Sequence, residues 1–275
     1  DDKTGDILLS QDHYITQLRP IPDSSVLAMK PEQAVGPDLT SAYMSLLGGV
    51  AWLAQTRADI LCFVGHLQRH AKAPCASHVL ELNKLLKYLK RTKASIRFSK
   101  PSRPMIMACI GDSAFQTKEP DCLALRGGVI GLLEECRSPV GGVLHVLEFF
   151  SRKQKRVTRS TFGAELHNMS ECSELGMLLA GCVEEVCTGP RPVIELAQLD
   201  DSGSFSVSVH LFLDAESVFQ AVKASEISVP TEANLLYPLK ALREHLDAGR
   251  IRCLSWIDTR DMLCDGLTKG SISRK

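Results

Sequence analysis

Downstream of Pro104 the chain changes from helical to strand texture, and the order of elements that follows constrains its fold more than any other feature. Met105 to Ile110 is a short apolar run ending in Gly111-Asp112. Residues 127–133 and 143–150 are two further apolar runs, joined by the turn-rich Ser138-Pro139-Val140-Gly141-Gly142, so an antiparallel three-stranded meander is expected. A long helix is expected over 160–187, with Leu166, Met169, Cys172, Leu175, Leu179, Cys182 and Val186 as its buried stripe. A strand over 206–213 then ends in Asp214, followed by a short helix over 215–224 and a helix over 235–248 closed by Gly249. A strand over 251–257 and a short helix over 262–269 complete an α/β domain spanning 104–270.

The upstream part reads differently. Residues 1–38 hold Ile7-Leu8-Leu9-Ser10-Gln11, a strand entering a short helix around Tyr14 to Leu18, and then a linker whose Pro20, Pro22, Pro31 and Pro37 argue against a packed element. Residues 39–100 form a helical region. Tyr43, Leu46, Leu47, Val50, Leu53 and Ala54 recur at helical spacing, a second helix carries Ile60, Phe63, Val64 and Leu67, and a third runs over 77–90. The outer face of the third shows Lys84, Lys87, Lys90, Arg91 and Lys93, which suits a solvated face and a phosphate contact equally.

Bulk composition narrows the function classes. With 32 basic and 32 acidic side chains among 275 residues the net charge is zero, so a nucleic-acid partner must be argued from local clusters. No apolar run approaches a membrane span, and Asp1-Asp2-Lys3-Thr4-Gly5-Asp6 is too charged for a secretion signal, so an intracellular chain without a membrane partner is expected. The start lacks methionine and enters an apolar stretch at once, as a fragment of a longer chain would. The ten cysteines show no C-x-x-C pair and read as reduced core thiols. His66, His70, Cys75 and His78 offer a candidate zinc ligand set, because two imidazoles lie one helical turn apart; the irregular spacing and Pro74 favour a plain helix surface.

Asp112 and Asp214 each follow an apolar strand, where side chains emerge at a sheet edge. Singly, each is a weak signal, since an aspartate there is more often a turn former. The specific signal is their combination with Glu165 in the first turns of the long helix and Asp265 at the start of the last one. If the first and fourth strands are neighbours, Asp112 and Asp214 lie side by side, Glu165 crosses above them and Asp265 closes the cluster. Four such carboxylates repel unless cations neutralise them, which implies hard, oxygen-seeking metals such as magnesium.

At this point a family resemblance becomes visible. Gly5-Asp6-Ile7-Leu8-Leu9-Ser10-Gln11 resembles the end of the reverse transcriptase in the Pol polyprotein of copia-type LTR retrotransposons. Tyr43-Met44-Ser45-Leu46-Leu47-Gly48 and Trp52-Leu53-Ala54-Gln55-Thr56-Arg57-Ala58-Asp59-Ile60 are similar to its Y-x-S-L-x-G and Y-L-x-x-T-R-P-D-I segments, and Leu86-Lys87-Tyr88-Leu89-Lys90-Arg91-Thr92 to R-Y-L-K-G-T. Asp112-Ser113-Ala114-Phe115 resembles D-A-D-W, and Arg152-Lys153-Gln154-Lys155-Arg156-Val157 with residues 160–166 resembles K-K-Q-K-x-V-x-x-S-S-T-E-A-E-Y. Phe212-Leu213-Asp214-Ala215-Glu216-Ser217 is similar to Y-C-D-N-x-S, and Leu263-Cys264-Asp265-Gly266-Leu267-Thr268-Lys269 to L-A-D-x-x-T-K.

The resemblance implies a ribonuclease H-like mixed five-stranded sheet flanked by helices, preceded by a small helical connection region and the tail of a reverse transcriptase. It implies an endonuclease that cuts the RNA strand of RNA–DNA hybrids, with Asp112, Glu165, Asp214 and Asp265 as catalytic metal ligands for two Mg2+ ions, or Mn2+ in their place. Asp258 and Asp261, placed to cap the last helix, are the nearest substitutes for Asp265. Arg152, Lys153, Lys155, Arg156 and Arg159 approach Glu165 and suit phosphate contact; a charged edge that blunts strand pairing is the plainer reading. The implied partners are an RNA–DNA hybrid and the reverse transcriptase domain of the same polyprotein, in a cytoplasmic virus-like particle or the nucleus.

Three departures stand out. The second aspartate of D-A-D-W is absent, Ala215 replaces the asparagine of the third motif, and Thr231-Glu232-Ala233-Asn234-Leu235 lacks the histidine of T-K-H-I. They leave open a second class, a module that binds nucleic acid or packs against a polymerase without cutting. An integrase-type nuclease expects its glutamate after two aspartates, whereas here Glu165 lies between them. Trp256 is expected in core packing on the last strand, and His245 on a helix surface.

Overall fold

A computed structural model describes residues 4–115, 123–135, 142–155 and 157–269. The chain divides into two compact units, Asp1–Ser99 and Lys100–Lys275.

In the first unit β1 (Ile7–Leu9) pairs antiparallel with β2 (Ile96–Phe98), so the two ends of the unit meet. Between them lie α1 (Asp12–Gln17), α2 (Pro37–Leu53), α3 (Leu61–Arg69) and α4 (Ala76–Arg91). Tyr43, Leu46, Val50, Leu67, Val79, Leu82 and Leu86 are buried in one core, as their spacing predicts. The proline-rich linker forms no long element, yet Ile21 and Val26 are buried in that core. Its backbone is satisfied by a side chain: Asn83 Oδ1 accepts from the Ile21 N–H at 3.0 Å and its Nδ2 donates to the Ile21 carbonyl at 2.7 Å.

The buried Arg57 ties two of the motif stretches together. It donates to both carboxylate oxygens of Asp59 at 2.8 and 2.7 Å, and to the Thr92 carbonyl at 2.8 Å. Tyr88 Oη also donates to Asp59, at 2.8 Å. This planar, bidentate geometry suits arginine and no other cation.

The second unit is a mixed five-stranded sheet in the order β5-β4-β3-β6-β7, built from β3 (Met105–Ala114), β4 (Leu125–Glu134), β5 (Leu144–Lys153), β6 (Val209–Leu213) and β7 (Ile251–Trp256). The meander pairs antiparallel, while β3–β6 and β6–β7 are parallel. The flanking helices are α5 (Thr161–Thr188), α6 (Val193–Asp201), α7 (Glu216–Lys223), α8 (Leu236–Asp247) and α9 (Asp265–Thr268). This is the expected mixed five-stranded sheet flanked by helices, with the first and fourth strands adjacent. Helix α6 was not foreseen, because its exposed face carries Val193 and Ile194 and it buries no residue. Most of the expected meander turn, residues 138–141, lies outside the described residues.

Helix α5 starts where Ser160 Oγ accepts from the Gly163 N–H at 3.1 Å. Its buried stripe departs from expectation at the distal end. Leu166, Met169 and Cys172 are buried, but Cys182 and Val186 are exposed, and the stripe continues through Gly176, Met177, Ala180 and Glu184. The physical reason is pitch: the apolar series closes to fewer residues per turn than the helix has, and drifts off the sheet-facing side. Gly176 lets the helix approach β3, since a Cβ there would stand 2.2 Å from Cys109 Sγ.

Overpacking of that contact costs about 1–3 kcal/mol, against a helix-propensity gain of about 1 kcal/mol for glycine to alanine. Gly176→Ala is therefore expected to lower the denaturant midpoint, and Cys109→Ala in the same chain to recover part of the loss. Strictly additive effects of the two changes in chemical denaturation would exclude this close contact as the cause.

Candidate metal centre

Parallel pairing of β3 with β6 in the register Ile110↔Phe212 sets the next residues of both strands side by side. Asp112 lies inside β3 rather than after it, because the strand runs on to Ala114 while Ser113 and Ala114 keep their partners in β4. Asp214 directly follows β6, as expected. Helix α5 crosses the sheet and brings Glu165 to them, and one carboxylate oxygen from each of Asp112, Glu165 and Asp214 lies within 4.8 Å of the other two. Asp112 and Glu165 are 3% and 4% exposed, so two acids are held almost without water.

The surrounding residues fix these acids without exhausting them. The Ser113 N–H donates to Glu165 Oε1 at 3.1 Å, while the buried Oε2 has no hydrogen-bond partner among the described residues. Thr268 in α9 donates its hydroxyl to Asp112 Oδ2. Asn168, one turn beyond Glu165 on the same helix face, donates to the carbonyls of Asp112 at 2.9 Å and Gly127 at 3.0 Å. Gly127 permits α9 to sit against the sheet, because a Cβ there would meet Leu267 Cβ at 2.8 Å and Thr268 Cγ2 at 2.9 Å.

Burial, then the charges of Asp112 and Asp214, push the Glu165 carboxyl up to about 9. Asp112 is raised by burial too, against the Thr268 hydrogen bond and the Lys269 charge that favour ionisation. Hard oxygen donors, one of them buried and unpaired, fit a divalent cation. Asp265 stands apart from the three converging acids: it begins α9 and pairs with Lys269. Burial disfavours the Lys269 charge, but the hydrogen bond to Asp265 and the charges of Asp112, Asp265 and Asp214 outweigh it and raise its pKa. Asp258 instead accepts from the Arg260 N–H at 2.9 Å and forms an ion pair with the Arg260 side chain.

Thr268 and Lys269 belong to the last motif, yet only the folded α9 reveals their contacts with the acids. Trp256 corrects an expectation: it is 49% exposed, and its indole N–H donates to the Asp214 carbonyl at 3.0 Å. Alternation at the end of β7 turns Ile257 inward and Trp256 outward. His245 is half-buried on α8, with Nδ1 3.2 Å from Arg250.

Among the basic residues, Arg152 pairs with Glu171 and lies 4.5 Å over the Phe150 ring. Lys153 is half-buried, whereas Lys155 and Arg159 are exposed. Arg156 lies outside the described residues. Arg159 also lines an open cavity of about 920 Å³ together with Ser160, Phe162 and Glu232.

Comparison with known proteins agrees with the motif reading. The chain is 25% identical over 269 residues to the Retrovirus-related Pol polyprotein from transposon RE1 of Arabidopsis thaliana, covering 95% of this chain and 16% of that protein. It is 24% identical over 276 residues to the corresponding polyprotein from transposon RE2 of the same plant, covering 95% of this chain and 17% of that one. The chain thus has distant homology to copia-type Pol polyproteins over nearly its whole length, and spans about a sixth of theirs. No protein-family model matches it. The RNase H1 crystal structure from the archaeon Halobacterium salinarum NRC-1 aligns with a TM-score of 0.36 at 15% identity, covering 58% of this chain and 92% of that one.

The Glu165 shift has a measurable consequence in metal-free protein. Between the ordinary value of 4.5 and about 9 the unfolded chain has released this proton and the folded chain retains it, so stability falls as pH rises through that window. Glu165→Gln removes that fall. In chelator, the variant is expected to match the parent near pH 4 and to exceed it at pH 8, by about 2–4 °C in Tm for each kcal/mol gained. A Tm difference independent of pH would contradict the raised pKa.

Proposed function

We propose that the second unit is a metal-dependent endonuclease that hydrolyses the RNA strand of RNA–DNA hybrids, leaving a 3′-hydroxyl and a 5′-phosphate. The observation that carries this reading is the convergence of Asp112, Glu165 and Asp214, with a Glu165 Oε2 that has no hydrogen-bond partner among the described residues. These residues, with Asp265 at the margin, would hold two divalent ions, Mg2+ or Mn2+. Such a pair supplies activation of a water and stabilisation of the leaving 3′-oxygen during in-line attack on a phosphodiester.

The chain's own residues do the positioning. Thr268 donates to one oxygen of Asp112 and the Ser113 N–H to one oxygen of Glu165, which fixes the orientation of both carboxylates. Trp256 holds the Asp214 peptide and presents an exposed ring beside it. Exposed Lys155 and Arg159 would take phosphates of the duplex by charge and set its register without reading sequence. In a Pol polyprotein the module would follow the reverse transcriptase and act on its hybrid product, in a virus-like particle or the nucleus. Among the described residues no helix is long and apolar enough to cross a membrane.

One observation favours a second reading, a module that binds hybrid or a polymerase without cutting. Lys269 already places a cation against the acids. Incubation of the full chain with a labelled hybrid and Mg2+ separates the two. Cleavage of the RNA strand is expected, with loss to background in Asp214→Asn while circular dichroism stays unchanged; undiminished cleavage by that variant would defeat the assignment. For Lys155→Ala and Arg159→Ala, hybrid affinity should weaken and the salt dependence flatten, by up to about 0.9 in log–log slope per lost contact. Equal slopes in parent and variants would remove these residues from the interface.

A further inference from the structure

The first unit holds a second cluster with different donor chemistry. His66 and His70 lie one turn apart on α3 and at its end, and His78 stands in the first turn of α4. One ring nitrogen from each lies within 4.8 Å of the other two. The rings of His70 and His78 stack with centroids 3.9 Å apart, and those of His66 and His70 meet edge-on at 5.3 Å. We propose that His66, His70 and His78 bind a late first-row dication, Zn2+ in the first instance, with the Glu81 carboxylate as fourth ligand.

Four donors at tetrahedral zinc bonds of 2.0–2.1 Å stand about 3.3 Å from one another. Glu81 Oε2 is already 3.5 Å from His66 Nε2, close to that edge. The histidine nitrogens need to close by no more than ~1.5 Å to reach it, and all three residues are half-buried. Imidazole and carboxylate are donors that suit zinc, whereas three imidazoles do not suit magnesium.

The backbone that carries the ligands is anchored. Tyr43 Oη donates to the Leu67 carbonyl at 2.9 Å and holds α3. The start of α4 is held by Ala76 N–H donating to Gln33 O and Ser77 N–H to Pro31 O, both at 3.0 Å. Loading therefore requires side-chain rotation and a change of tautomer. A ring that gives Nε2 to a metal carries its proton on Nδ1. For His78 that proton faces Cys75 Sγ at 3.2 Å, and the 3.1 Å bond from the Cys75 N–H is given up. For His66 the exposed Arg69, 3.0 Å from Nδ1, must swing away.

The test is calorimetric titration of the chelator-stripped full chain with ZnCl2 in excess Mg2+. One site is expected, with Kd of about 1 μM or tighter. His66→Ala and His70→Ala should each weaken it by about tenfold or more, while Glu165→Gln leaves it unchanged. Imidazole nitrogen chemical shifts of the parent should report three metal-bound histidines, a readout that does not depend on the variants folding. Zinc affinity that survives the histidine substitutions, or that is lost with Glu165, would overturn the proposal.

Discussion

Everything in the second unit follows from the parallel pairing of β3 with β6. That contact sets a buried aspartate, Asp112, beside the half-buried Asp214, where charge repulsion is only weakly screened. The rest of the site is a response to it. The Glu165 carboxyl keeps its proton, Thr268 donates to Asp112, and Lys269 brings a positive charge from α9. Close approach of α5 and α9 then demands glycine at 176 and 127, where a Cβ would collide with Cys109 and Thr268. A buried carboxylate cluster is a poor way to gain stability, because each ion forfeits hydration that a neighbouring acid cannot replace.

Much of this was legible in the sequence because it is periodic or local. The three apolar runs, the long helix and the aspartate after β6 follow from side-chain alternation and helical spacing, which depend on near neighbours. What was not legible depends on distant partners. The apolar run puts Asp112 after its strand, but the strand continues while β4 still offers Arg126 and Leu125 to pair with. Size and a place on a strand point Trp256 to the core, yet the buried place at that end belongs to Ile257. Convergence of Asp112, Glu165 and Asp214 was anticipated from the order of elements. The pairing of Asp265 with Lys269 was not, although both residues stand in one recognisable motif.

The proline-rich linker and the cysteines mark the same boundary. Proline density correctly denied the linker a long element, but whether an irregular segment packs depends on who satisfies its backbone, and that is Asn83, some sixty residues away. Cysteines at 109, 172 and 264 are buried, in keeping with their apolar surroundings in sequence. Those at 182 and 187 lie where α5 has turned its expected stripe outward, so the same residue type ends in solvent.

The charge balance of the acid cluster also bears on how tightly it can hold a cation. Without metal, the folded chain neutralises the cluster with a retained proton on Glu165 and with Lys269. A dication must displace the proton and compete with the lysine, so binding is coupled to proton release and is weaker than the number of carboxylates suggests. A phosphate that adds its own oxygens and negative charge would raise the affinity of such a site for a dication. Under the proposed function, Lys269 would hold metal binding weak until the oxygens of a nucleic-acid backbone complete the site, so its place against the acids does not by itself favour a module that only binds.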